Sequence, residues 1–293
     1  MPVAEHDVDA RLVEDLVGGQ HPDLAAPVDF FAEGWDTSVW RLGTDLLVRM
    51  PRRAMAVAGL EAEQRWLPVL GSKLPLPIPV PLRIGIAGCG FPWPWSIVPL
   101  LEGTPALERP RLDSSRAAAT LGRFLRALHS EAPPDAPRSE IRGVALSARI
   151  ATFEELVVEL RGDLDEGAVR RTWTTALEAD APSGSPTWVH GDLHPGNVLV
   201  RDGDLVGVID FNDLNGGDPA TDLSAAWLFF EPEHLGVLLD AYGGADHALV
   251  TRARGWALLF SMLFVSVGRE GRAGYGVVGR DGLRRALADG NAA

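Results

Sequence analysis

Residues 188–213 constrain this chain more than any other stretch. They hold Val189-His190-Gly191-Asp192-Leu193-His194-Pro195-Gly196-Asn197, then Val198-Leu199-Val200, then a linker carrying Asp202-Gly203-Asp204. Leu205 to Ile209 follow, and Asp210-Phe211 comes directly after them. Two apolar runs of strand length around an Asp-Gly pair predict a β-hairpin, 198–200 against 205–209. Asp192 and Asn197 precede the first strand and Asp210 ends the second, so the hairpin gathers two carboxylates and an amide at one edge. His190 and His194, four residues apart, suggest a zinc pair only if they share a helix face. Gly191, Pro195 and Gly196 break any helix there, and no third soft ligand is close in sequence.

His-x-Asp, an Asn five residues after the Asp, and a later Asp-Phe have the spacing of a kinase catalytic loop and metal segment. Each residue type answers a need of phosphoryl transfer. A carboxylate holds the incoming hydroxyl in line and accepts its proton, and hard oxygen ligands hold the Mg²⁺ that bridges the phosphates. Asp192 fits the first role; Asn197 and Asp210 fit the second. A turn rich in Asp, Gly and Pro between strands is the bland alternative, and the offset of Asn197 together with Asp210-Phe211 outweighs it.

With His194 in the loop and Gly217-Asp218-Pro219-Ala220-Thr221-Asp222-Leu223 downstream, the segment resembles the aminoglycoside phosphotransferase family, small-molecule kinases that share the protein-kinase fold. The resemblance implies an α+β, protein-kinase-like, two-lobed fold. Residues 1–99 would form a β-rich nucleotide-binding lobe with one or two helices, and 100–293 a mostly helical catalytic and acceptor-binding lobe. It implies Mg²⁺-dependent transfer of the γ-phosphate of ATP, with GTP also admitted, to a hydroxyl of an aminoglycoside-type or other antibiotic. Asp222 would brace the catalytic loop, with simple helix capping as the alternative. A metabolite alcohol stays open as acceptor, and a non-catalytic nucleotide-binding pseudokinase is the rival from another class.

Upstream, apolar residues at helical spacing predict an opening helix capped by Asp7 and ending at Gly18-Gly19. Strands are expected at 28–32, 39–42, 46–50, 82–86 and 95–98. In the kinase frame the turn at 34–38 covers the phosphates, through backbone N–H groups near Gly34 and the hydroxyls of Thr37 or Ser38. It has one glycine where protein kinases have three, so an ordinary hairpin turn is the alternative. The third strand carries Arg49 in the place of the kinase lysine. A guanidinium can pair bidentately with phosphate or carboxylate, and a solvent-facing edge arginine is the competing reading. A helix over 54–70 supplies Glu63 as its candidate partner, with Glu61 the alternative. The proline-rich residues 74–81 read as a rigid crossover rather than a polyproline ligand. Val98 and Leu100 flank Pro99 at the hinge, where backbone groups would hold the purine. Pro99 has no N–H, so the donor would come from a neighbour such as Leu100.

Beyond the hinge, helices are expected at 114–130, 144–161, 169–179, from 218 through 227, at 235–242 and at 247–267. A Gly- and Arg-rich tail from Arg269 closes with a short helix, 281–288. Glu154, Glu155, Glu159, Glu231, Glu233 and Asp240 could face a cationic acceptor, and solvated helix faces explain them equally well. The net charge of −13 suits a cationic substrate and argues against nucleic acid; solubility alone also accounts for it. At 293 residues and 46% hydrophobic the chain can bury a sizeable core. The single Cys89 precludes an intrachain disulfide and fits a reducing compartment. An acidic start and no apolar run of transmembrane length predict a soluble cytoplasmic protein without a membrane partner. The sequence leaves the oligomeric state open.

Overall fold

The computed structural model describes residues 3–108, 112 and 114–288. Met1 and Pro2, which open the acidic start, lie outside the described residues. The chain forms two compact units. One comprises Met1–Lys73, Pro77–Leu101 and Asp210–Asn212; the other comprises Leu74–Leu76, Glu102–Ile209 and Asp213–Ala293.

The first unit opens with α1 (Ala10–Gln20). Its N-cap is Asp9 rather than Asp7, because the Asp9 carboxylate lies three residues before Leu12 and accepts its N–H at 2.8 Å. The helix runs through Gly18 and Gly19 to Gln20. There follow β1 (Val28–Glu33), β2 (Thr37–Leu42), β3 (Leu46–Pro51), α2 (Val57–Gly71), β4 (Arg83–Gly85) and β5 (Trp95–Pro99). The strands make one antiparallel sheet in the order β1-β2-β3-β5-β4. Val13, Leu16 and Val17 on α1 share a buried core with Leu42, Val48, Met50, Trp95 and Ile97 of the sheet. The alternation that fills this core leaves Arg49 between Val48 and Met50, buried like its neighbours.

The second unit contains β6 (Thr104–Pro105), α3 (Ser114–Leu128), a 3-10 turn Leu146–Arg149 leading into α4 (Ile150–Glu159), and α5 (Glu166–Glu178). Next come β7 (Thr187–Val189), β8 (Val198–Arg201), β9 (Asp204–Val208) and β10 (Asn215–Gly217). The chain ends in α6 (Ala220–Leu223), α7 (Ala225–Phe229), α8 (Pro232–Tyr242), α9 (His247–Arg269) and α10 (Ala273–Leu287). β8 and β9 form the expected hairpin, with β6 on the other side of β8. Asp202 and Gly203 at its tip both have positive φ, 53° and 87°, as a type I′ turn requires. The single helix expected from 218 through 227 is instead divided at Ser224, whose hydroxyl bonds back to the Thr221 carbonyl.

α9 is long and apolar enough by length and composition to cross a bilayer, and 67% of that stretch is buried inside the protein. Much of its cover comes from α10, which corrects the expectation of a short closing helix. α10 is 15 residues long and starts at Ala273, because its glycines form a contact face instead of breaking the helix. A Cβ at Gly279 would lie 2.6 Å from both the Ser261 carbonyl and the Val265 amide nitrogen of α9, and one at Gly282 would strike the Ser261 hydroxyl. A Gly279→Leu protein is therefore expected to lose about 1–3 kcal/mol or more by overpacking. Gly236→Ala on α8, with nothing within 4 Å of the added carbon, should gain about 0.5–1 kcal/mol. Urea unfolding of the two variants checks both signs.

Candidate active site

In the sheet unit, β3 and α2 hold Arg49 against Glu63. Arg49 Nη1 donates to Glu63 Oε2 at 2.6 Å, and both side chains are buried. Glu61, two residues away on the helix, is exposed, so helix phase selects Glu63. Arg49 Nη2 lies 3.5 Å from both Asn212 Oδ1 and Asp210 Oδ1. Burial works against the guanidinium's charge, but Glu63 and then Asp210 outweigh it and hold its pKa above the ordinary value. Burial pushes the Glu63 carboxyl upward, while Arg49 pulls the other way.

Asp210 adopts φ +64°, a left-handed conformation uncommon outside glycine and asparagine-like residues. Its Oδ1 is buried and has no hydrogen-bond partner, the Arg49 contact being an ion pair at 3.5 Å without hydrogen-bond geometry. Nearby backbone is tightly approached. A Cβ at Gly59 of α2 would lie 2.5 Å from the Asn212 carbonyl oxygen.

The β1–β2 turn is closed by Gly34 N–H donating to the Thr37 carbonyl at 2.8 Å, and Arg52 donates to the Gly34 carbonyl at 3.0 Å. Thr37 and Ser38 are buried. Thr37 Oγ1 accepts from Asn212 Nδ2 at 3.3 Å, and Ser38 Oγ accepts from the Trp40 indole at 3.3 Å. Both hydroxyls are thus engaged within the unit. At the hinge, Val98 is buried on β5 in register with Leu47. Leu100 corrects the expectation of a purine donor: its N–H already donates to the Asp45 carbonyl at 2.8 Å, because the pairing with β3 continues past Pro99.

In the helical unit, Asp222 holds the start of the loop 190–197. Its Oδ2 accepts the His190 N–H at 2.6 Å and its Oδ1 the Gly191 N–H at 2.9 Å. Gly191 has φ +85°, and a Cβ there would lie 2.5 Å from the Asp213 carbonyl oxygen, so only glycine fits. His190 Nδ1 accepts from Asp192 N–H at 3.3 Å and Nε2 faces the Ile209 carbonyl at 3.0 Å, which places the ring proton on Nε2. Asn197 Nδ2 donates to the Asp192 carbonyl at 2.9 Å, and the Asn197 carbonyl accepts the Ile209 N–H at 2.9 Å.

The Asp192 carboxylate lies 3.4 Å from His194 Nε2 and 3.1 Å from Arg142 Nη2. Burial opposes its charge, yet His194 and Arg142 together outweigh burial and hold the carboxyl well below the usual carboxylate range. Arg142 is absent from the sequence reading. It sits 50 residues upstream of Asp192 in an irregular segment, where neither periodicity nor a motif marks it. Three of the six acidic residues named for a cationic acceptor are engaged elsewhere. Glu154 pairs bidentately with Arg170 at 2.8 and 2.9 Å, and Glu159 accepts from Ser266. Glu231 is drawn down to about 2 by hydrogen bonds from Arg284 and Arg285.

Both candidate metal residues retain hard oxygen donors of the kind Mg²⁺ takes. Asp210 keeps a buried carboxylate oxygen without a hydrogen bond. Asn197, with Nδ2 committed to the Asp192 carbonyl, keeps Oδ1 as an acceptor. Taken singly, each oxygen is of a type that suits the ion.

Residues 28–257 match the model of the phosphotransferase enzyme family. The chain belongs to that family. A viomycin phosphotransferase from Streptomyces vinaceus is 29% identical over 202 residues, 65% of this chain and 66% of that protein, just under two thirds of its length. Among solved structures of the phosphotransferase fold, the GDP and kanamycin complex of APH(2")-IIia aligns with a TM-score of 0.69 at 21% identity, over 92% of this chain and 97% of its own. A macrolide 2'-phosphotransferase, MphH from Brachybacterium faecium, aligns with a TM-score of 0.62 at 23% identity, over 94% and 97%. At these identities the structures establish the fold: an α+β chain with a sheet-containing N-terminal region and a helical C-terminal region, as in the aminoglycoside phosphotransferases.

Proposed function

We propose that this phosphotransferase moves the γ-phosphate of a nucleoside triphosphate to a hydroxyl of a small molecule, of the antibiotic type on which the named relatives act. The observation that carries the reading is the fixed catalytic loop. Asp222 pins its first two amides, Asn197 pins the Asp192 carbonyl, and the Asp192 carboxylate stays ionised beside them. Asp192 would orient the acceptor hydroxyl and take its proton as the new O–P bond forms. Arg49, braced by Glu63, would hold the donor phosphates, aided by the turn at Gly34, Thr37 and Ser38 through backbone N–H groups. Asn197 and Asp210 would hold Mg²⁺, which when bound bridges phosphate oxygens and offsets their charge.

The donor is ATP or GTP, a GDP complex of a structural neighbour supporting the second. Leu100 N–H is engaged by Asp45 and Val98 is paired with Leu47, so neither is assigned as the purine's donor. A metabolite alcohol as acceptor is the second reading, favoured by the arginine at Asp192 and by the pairing of Glu154, Glu159 and Glu231. Incubating the protein with ATP or GTP, Mg²⁺ and a panel of aminoglycosides, macrolides, viomycin and simple hydroxy metabolites tests this directly. A phosphorylated acceptor should form in at least one case, and a chelator should abolish it. Nucleotide that binds but is never consumed with any acceptor would place the protein among pseudokinases instead.

A further inference from the structure

His194 is the second histidine of the catalytic loop, and the chemistry above gives it no task. Its side chain is only 7% exposed. Nδ1 accepts the Gly196 N–H at 2.9 Å, so the ring's lone pair is there and a neutral imidazole carries its proton on Nε2. The ring packs edge-on against Phe264 and Tyr275, with centroids 5.1 and 5.5 Å away. The loop closes tightly on it as well, since a Cβ at Gly196 would lie 2.6 Å from its Cε1. With the ring fixed in this way, the acceptor beside Nε2–H is Asp192 Oδ2, 3.4 Å away. Asn197 Nδ2 lies 3.3 Å from Nε2 but is itself a donor, and it serves the Asp192 carbonyl.

The other oxygen of the same carboxylate has its own donor. Arg142 bonds Oδ1 at 3.1 Å, and the guanidinium is steadied by Asp213 Oδ2 at 3.7 Å and by the Phe260 ring at 4.8 Å. The last torsion of an aspartate is broad, so one donor alone leaves the carboxylate free to turn. A second donor on the second oxygen stops that turning. Resting on the phosphotransferase reading, we propose that His194 is a positioning residue for Asp192: its Nε2–H holds Oδ2 while Arg142 holds Oδ1, which fixes the plane in which the carboxylate meets the acceptor hydroxyl. Each carboxylate oxygen has two lone-pair sites, so one on each is left for the hydroxyl, and the Asp192 side chain is 27% exposed. The 3.4 Å separation is longer than a finished hydrogen bond, as is usual for catalytic contacts before substrate binds. His194 touches neither the acceptor nor the transferred phosphate.

Two replacements divide the ring's two bonds between them. A glutamine amide can set an N–H near the place of Nε2, and an asparagine amide can set its oxygen near the place of Nδ1. His194→Asn and His194→Leu should lower kcat about 10- to 100-fold, the scale of a small misplacement of a reacting group, with nucleotide KM little changed. His194→Gln should recover most of that loss. If the ring only secures the loop through Gly196, the order reverses and asparagine is the better substitute. Added to Asp192→Asn, His194→Asn should cost nothing further, because its effect passes through the carboxylate. A readout without turnover is the ¹⁵N spectrum of histidine-labelled protein, with His194 assigned by its loss in His194→Gln. The proton should sit on Nε2, and its resonance should move in Asp192→Asn. A proton on Nδ1, a resonance indifferent to Asp192→Asn, or equal kcat for the glutamine and asparagine variants of a working enzyme overturns the positioning role and leaves the phosphotransferase reading intact. An Nε2 proton that responds to Asp192 in a protein consuming no nucleotide with any acceptor overturns that reading and, with it, a role in transfer; only the contact then stands.

Discussion

An Asp192→Asn protein is expected to fold, to bind nucleotide, and to turn over its acceptor about 10²–10⁴-fold more slowly, the range in which a positioned acid or base contributes. The geometry refines what is lost. With Arg142 and His194 holding the carboxyl well below its usual range, Asp192 is a weak proton acceptor at neutral pH. Phosphoryl transfer through a loose transition state asks little basicity of it and much alignment. The amide keeps the shape but removes the charge that draws the hydroxyl proton, so kcat should fall while nucleotide affinity holds.

The same charge has a signature in stability. A carboxyl whose folded pKa is depressed stabilises the fold above its unfolded pKa, about 3.9 for aspartate. That contribution disappears as pH falls through the folded value. Wild type should therefore be more stable than Asp192→Asn at neutral pH, and the gap should close in strong acid. Turnover within tenfold of wild type would remove Asp192 from the chemistry.

The parts of this site that sequence exposes are those fixed by short-range spacing. Asp192 and Asn197 lie five residues apart in one loop that Gly191, Pro195 and Gly196 keep from becoming a helix, and a hairpin with an Asp-Gly tip leads from there to Asp210. Strands β2 and β3 are legible from their alternation and intervening turn. What sequence hides depends on tertiary register. Glu63 and Glu61 are equivalent until the helix is set against β3, and Leu100 passes for a free donor until Asp45 is found opposite it. Asp9 and Asp7 both suit an N-cap, and the turn itself decides. α10 misleads most, since glycine at 276, 279 and 282 lowers helix propensity, yet close approach to α9 overrides propensity there. Arg142 carries no local signal, its meaning coming wholly from a contact across 50 residues.

Breaking the Arg49–Glu63 pair should have the second large effect, and the two ends should differ. Glu63→Ala leaves a guanidinium buried in the sheet unit with only the 3.5 Å contacts to Asp210 and Asn212. Arginine stays charged, so the loss should reach about 3–5 kcal/mol, typical of a broken buried pair. Arg49→Met instead leaves a carboxyl that can take a proton, and burial already favours that neutral form. Its cost should be smaller and should grow with pH. A group whose folded pKa lies above its unfolded value supports the fold below the unfolded pKa and ceases to do so as pH rises through the folded one. The Arg49→Met protein should accordingly be most stable in acid.

Replacing both residues, Arg49→Met with Glu63→Leu, removes both buried charges and should recover most of the stability lost by Glu63→Ala. It should not recover nucleotide binding, because the proposed phosphate grip is gone. Urea unfolding at two pH values and nucleotide titration of the three variants separate the structural role from the functional one. A double variant that binds nucleotide like wild type would take Arg49 out of the donor site, while one as unstable as Glu63→Ala would mean that the unpaired charge is not what the single substitution exposes.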